Sequence, residues 1–148
     1  MIDKQEIFAG YYTVWNYAVN RLGYEVHEGP DMQDVCMSDI KEINICSRKG
    51  IENKLYGLLH ECGHALIREN WNKFQKEFPA HAACGYDHRK NRTDGYRVSL
   101  VEEEYEAWKR GKRLAKRLGI ELDEERYEKH KTKCLMSYMH WAVGQYDI

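Results

Sequence analysis

From Glu52 to about Asn70 the chain repeats apolar residues with a helical period, and inside that run it carries His60-Glu-Cys-Gly-His64. At about 100° per residue the two imidazoles lie roughly 40° apart on one helix face, so both can reach a single metal ion. Leu55, Leu58, Leu59, Cys62, Ala65 and Leu66 fall about 140° to 260° away from His60. Such a helix must pack one side into a core and turn the histidines toward a cleft. Gly63 leaves room for another element to come close beside them.

The pattern is His-Glu-x-x-His, and chemistry gives the intervening Glu61 a role. Zn²⁺ brings the pKa of a bound water to about 7, and a neighbouring carboxylate can take that proton and pass it to a leaving amine. A catalytic zinc has three protein ligands and an open fourth position, so one ligand must come from elsewhere. The histidine that metzincins carry six residues beyond the second is absent, because that position is Asn70. The next candidates are the glutamates of Val98-Ser-Leu-Val-Glu-Glu-Glu-Tyr-Glu-Ala-Trp108, which opens a second long helix reaching about Leu118. On its wheel Glu104 falls within the arc formed by Val101, Tyr105, Trp108, Leu114 and Ala115, whereas Glu102, Glu103 and Glu106 fall outside it. A carboxylate in an apolar stripe is costly unless paired or metal-bound, which singles out Glu104 as the third ligand.

The rest of the chain frames these two helices. Asp3 and Glu6 form a helix start, and Ile7, Tyr11, Val14, Trp15, Ala18 and Leu22 keep helical spacing up to Gly23. Tyr24–His27 and Ile40–Cys46 alternate with period two about a turn-rich Glu28-Gly-Pro-Asp, predicting two or three short strands. An exposed strand at Ile43, Asn44, Ile45 and Cys46 could align an extended substrate. The aromatic-rich Cys134–Val143 reads as a final helix. No linker, repeat or low-complexity tract divides the 148 residues, which predict one domain with a core large enough to fold without a metal or disulfide.

Composition narrows the partners. With 23 Lys+Arg against 24 Asp+Glu the net charge is −1, so no attraction to nucleic acid or anionic lipid is expected. No apolar run exceeds three residues, which excludes a membrane-spanning helix. The charged start, Met1-Ile-Asp-Lys-Gln-Glu, and five cysteines without a Cys-x-x-Cys pair point to a reducing, cytoplasmic location. Lys109–Arg117 sets six basic residues opposite the apolar arc, where they could meet an acidic partner or phosphate. The nearby acids make a solvated face the plainer reading.

Between the two long helices, Phe78-Pro-Ala-His-Ala-Ala-Cys-Gly-Tyr-Asp-His88 reads as a polar loop over the cleft. His81, Cys84 or His88 could replace Glu104 or form another site. His81, Tyr86, His88 or Tyr96 could stabilise an oxyanion by hydrogen bonding.

With the strand Glu42–Cys46 before it and Glu104-Tyr-Glu-Ala107 after it, the His60-Glu-Cys-Gly-His64 helix resembles the ImmA/IrrE-like zinc metallopeptidases over about residues 40–115. That resemblance implies a compact zincin-like α+β domain. It would comprise an N-terminal helix, a small mixed or antiparallel sheet, the HExxH helix, a Glu-bearing helix and a C-terminal helix. It implies one Zn²⁺ held by His60, His64 and Glu104, Glu61 as general base and acid, and a protein or peptide substrate such as a repressor-type regulator. Two alternatives stay open. One is a SprT-like protease with His81 or His88 as third ligand, and the other is a catalytically inactive zincin-like binding or regulatory module.

Overall fold

The computed structural model describes residues 2–79 and 93–144. Asp3 caps the first helix, its carboxylate accepting the Glu6 N–H at 3.0 Å, and α1 runs Lys4–Asn20 with Tyr11, Val14 and Ala18 buried on one face. Gly23, at φ +76°, turns the chain out of the helix into the sheet.

Three short strands follow: β1 Glu25–Gly29, β2 Val35–Met37 and β3 Glu42–Cys46. Their spatial order is β1-β3-β2; β1 pairs parallel with β3 (Val26 opposite Ile43) and β2 antiparallel (Cys36 opposite Ile43). The sheet is therefore mixed. This order corrects one expectation, because β3 is the central strand: β1 pairs along Glu42–Cys46 on one side and β2 along Glu42–Asn44 on the other. Beyond the end of β2 the Cys46 N–H is taken by the Asp34 carboxylate, so Ile43, Asn44, Ile45 and Cys46 do not form an open edge strand. Ile43 and Ile45 are instead fully buried in the core beneath the helices.

Helix α2, Ile51–Glu69, is buried almost continuously from Leu55 to Gly63. A seven-residue helix, α3, Trp71–Glu77, follows at once, ahead of the Phe78–His88 stretch read as a loop, most of which lies outside the described residues. Its reason is aromatic: Phe74 is fully buried and stacks on Trp71 and Phe78. Helix α4, Asp94–Arg117, starts at a Thr93 cap, four residues before the predicted Val98. Helix α5, Glu124–Ala142, starts ten residues before the predicted Cys134. Asp123 caps it, and Tyr127 in its first turn is buried, donating its hydroxyl to the Trp108 carbonyl at 2.6 Å.

The architecture is α+β, five helices and a three-stranded sheet among the described residues. Helices α2 and α4 cross backbone to backbone. A Cβ on Gly63 would lie 2.0 Å from the Ala107 carbonyl oxygen, and one on Gly111 would lie 2.6 Å from that of Leu59. This close crossing brings the α4 glutamates within reach of the α2 histidines. Among the described residues no helix is long and apolar enough to cross a membrane.

Candidate metal centre

At the α2–α4 crossing, Nε2 of His60 lies 2.8 Å from one oxygen of Glu104, and Nε2 of His64 lies 3.0 Å from the other. The His60 ring is stacked on Trp108, with centroids 4.2 Å apart and planes 7° from parallel, which fixes its orientation. Glu61 turns its carboxylate into the same space, and ligand-capable atoms of His60, Glu61 and His64 lie within 4.8 Å of one another. The sequence-selected residues His60, Glu61, His64 and Glu104 therefore meet in one place.

Glu103 also belongs there, although its wheel position argued against it. Its carboxylate lies 3.0 Å from Nδ1 of His64 and accepts from Arg68 at 3.2 Å; the Arg68 guanidinium in turn sits 3.7 Å over the Trp71 ring. Both ring nitrogens of His64 thus face carboxylates. Glu61, Glu103 and Glu104 are only 4%, 8% and 8% exposed. Three buried carboxylates around two imidazoles are costly unless positive charge is held among them. Arg68 supplies part of that charge to Glu103, and without a metal the remainder falls to protons on the two rings. Burial favours neutral rings, but the surrounding carboxylates overcome it and raise His60 and His64. Burial likewise raises the Glu104 carboxyl, yet hydrogen bonds from both histidines outweigh it and hold it at about 2.

These residues fit a divalent cation. Two imidazoles and a carboxylate are a zinc donor set, and bonds near 2.0–2.1 Å place tetrahedral ligands about 3.3 Å apart. The observed separations of 2.8 and 3.0 Å need only a few tenths of an ångström of opening. Glu103 on Nδ1 leaves Nε2 of His64 directed at the shared carboxylate, the orienting contact that metal-bound histidines have. If so, Glu103→Ala should weaken zinc binding about 10–100-fold while the fold persists, as read by competition with a chromogenic chelator and by circular dichroism.

The centre opens into a cleft of about 460 Å³. One wall is β2, whose Val35 and Cys36 line it. At the base of β2, Asp34 accepts the Cys46 N–H at 2.8 Å and pairs with Lys49. Gly57 makes space for that pair, since a Cβ there would lie 2.3 Å from Asp34 Oδ2. The opposite wall is α5, which contributes His130, Cys134 and Tyr138. Burial pushes the Tyr138 phenol up, and the Glu104 carboxylate it faces pushes it further. Burial, with the Lys49 and Lys133 cations nearby, lowers His130 and favours its neutral form. Burial raises Cys36 to about 12 and also raises Cys134, so neither cysteine offers a ready thiolate.

Of the residues expected to serve the oxyanion, Tyr96 does not line the cleft. It sits half-buried at the start of α4 with its ring against Trp141, 6.3 Å between centroids. His81, Cys84, Tyr86 and His88 lie outside the described residues. His130 and Tyr138 were passed over, yet a signal existed. Once the helix is known to begin at Glu124, behind its Asp123 cap, His130, Cys134 and Tyr138 fall at i, i+4 and i+8 on one face. No family model matches the chain, and no curated protein or solved structure does either.

Proposed function

We propose that this chain is a zinc-dependent endopeptidase of the ImmA/IrrE-like kind, with His60, His64 and Glu104 holding the metal and Glu61 moving the proton. The observation that carries the reading is the convergence of two imidazole Nε2 atoms on one buried carboxylate, with Glu61 beside them in an open cleft. The motif residues also support one another physically, since Gly63 of the HExGH segment packs on Ala107 of the Glu104-Tyr-Glu-Ala segment.

Bound zinc would supply Lewis-acid polarisation of the scissile carbonyl and a water acidic enough to be deprotonated near neutral pH. Glu61 takes the proton from the attacking water and returns it to the leaving amine. Glu103 and Arg68 hold His64, and the stacked Trp108 holds His60. From the far wall, the Tyr138 hydroxyl and the neutral His130 ring are the donors placed to meet charge developing on the carbonyl oxygen. Among the described residues no strand pairs with the outer edge of β2, so an extended substrate adds there, beside the cleft. A buried Glu104 shared by both histidines favours a glutamate third ligand over one from His81 or His88. A protein regulator in the cytoplasm is the substrate class this reading expects.

The test is hydrolysis of fluorescein-labelled casein and of a mixed peptide library by zinc-loaded protein. Cleavage should stop on chelation, return with zinc and be absent in Glu61→Gln. Cleavage that survives either change contradicts the assignment.

A further inference from the structure

A second groove, of about 510 Å³, shares no lining residue with the cleft. It lies between the end of α2, α3 and the C-terminal half of α4. Its charge is one-sided: Lys73, Lys109, Arg110, Arg113 and Arg117 stand against Glu77 and Glu106. Glu106 is already taken by Arg110 at 3.2 Å, and Arg117 donates to the Tyr17 hydroxyl at 3.0 Å. Among the described residues Lys73, Lys109 and Arg113 have no carboxylate within ion-pair distance, and all three are exposed. The segment 80–92 that follows this region carries one acid, Asp87, against Arg89, Lys90 and Arg92, so its composition does not supply the missing negative charge.

The floor of the groove is different in character. Leu114 is buried, and Leu66 and Phe78 are half-buried along it. On α4, Lys109, Arg113 and Arg117 are four residues apart, a step of about 6 Å along the helix axis. Alternate residues of an extended chain are about 6.6–6.8 Å apart. Carboxylates at alternate positions can therefore meet successive cations.

We propose that this groove docks an extended acidic segment of a protein partner, one with apolar side chains among its acids. Cationic rims over an apolar floor suit such a segment better than a phosphate backbone. A long polyanion leaving the groove would also meet a molecule with as many acids as bases, 24 against 23, whereas a short segment meets only the basic wall. The proposal does not depend on the peptidase reading, because the groove's residues are separate from the metal centre.

Fluorescence anisotropy tests it with a short labelled peptide carrying Glu at alternate positions and Leu or Ser between them. Its Lys counterpart and an oligothymidylate of similar length serve as comparisons. The acidic peptide should bind in about 50 mM salt and weaken clearly in about 300 mM. Binding should fall about tenfold or more in Lys109→Glu/Arg113→Glu, where like charges replace attraction, and stay unchanged in Glu61→Gln. The milder Lys109→Gln/Arg113→Gln protein should weaken in the same direction, and circular dichroism melts establish that both variants fold. No binding, equal binding of the Lys peptide, unchanged binding by the folded variants, or tighter binding of the oligothymidylate would each overturn the proposal.

Discussion

The Gly63→Ala protein is expected to lose on the order of 3 kcal/mol of stability, an effect at the upper end of overpacking changes. The added methyl would sit 2.0 Å from the Ala107 carbonyl oxygen and 2.8 Å from its carbon. Both are backbone atoms, so no side-chain rotation relieves the clash; α2 and α4 must move apart. That separation would also draw Glu104 away from His60 and His64, so metal affinity should fall with stability. Gly50→Ala is the control, since nothing lies within 4 Å of a Cβ there and its cost should stay near or below about 1 kcal/mol. Urea midpoints at unchanged slope measure both. Wild-type stability in Gly63→Ala would mean that the helices do not cross so closely.

Glu61→Gln is expected to lower peptide hydrolysis by about 10²–10⁴-fold while zinc content stays that of the wild type. The amide keeps the size of the carboxylate but cannot accept the proton of an attacking water. Glu61 is 4% exposed and lies in the cleft wall, and it is not one of the two groups that meet at Glu104. Rate and metal content should therefore separate in this variant, whereas in His60→Ala they should fall together. Full hydrolysis by zinc-loaded Glu61→Gln would remove the base assignment.

Much of the centre was legible because helices repeat with a short, fixed period. The spacing of His60 and His64, the space at Gly63 and the odd placement of Glu104 in an apolar arc all follow from one angle per residue. Glu103 was hidden because a wheel compares a residue only with its own helix. What buries Glu103 is His64 and Arg68 reaching across from α2. Strand order was hidden for a related reason: alternation marks Ile43 and Ile45 as inward, but nothing local says that β2 folds back outside β3. The α5 wall was missed through its boundary. The acidic residues from Glu121 to Glu125 hide the start of that helix, although Asp123 caps it and Tyr127 buries its first turn. Helix α3 was missed because seven residues carry too little periodicity to stand out from a loop.

The central claim is that His60, His64 and Glu104 together hold one metal ion. Zinc content per chain, measured on protein purified without added metal, tests it most directly when wild type, Glu104→Ala and Glu102→Ala are compared. The account predicts about one zinc in wild type and in Glu102→Ala, and little in a folded Glu104→Ala. Stoichiometric zinc remaining in Glu104→Ala, or no zinc taken up by the wild type even when it is supplied, would contradict it.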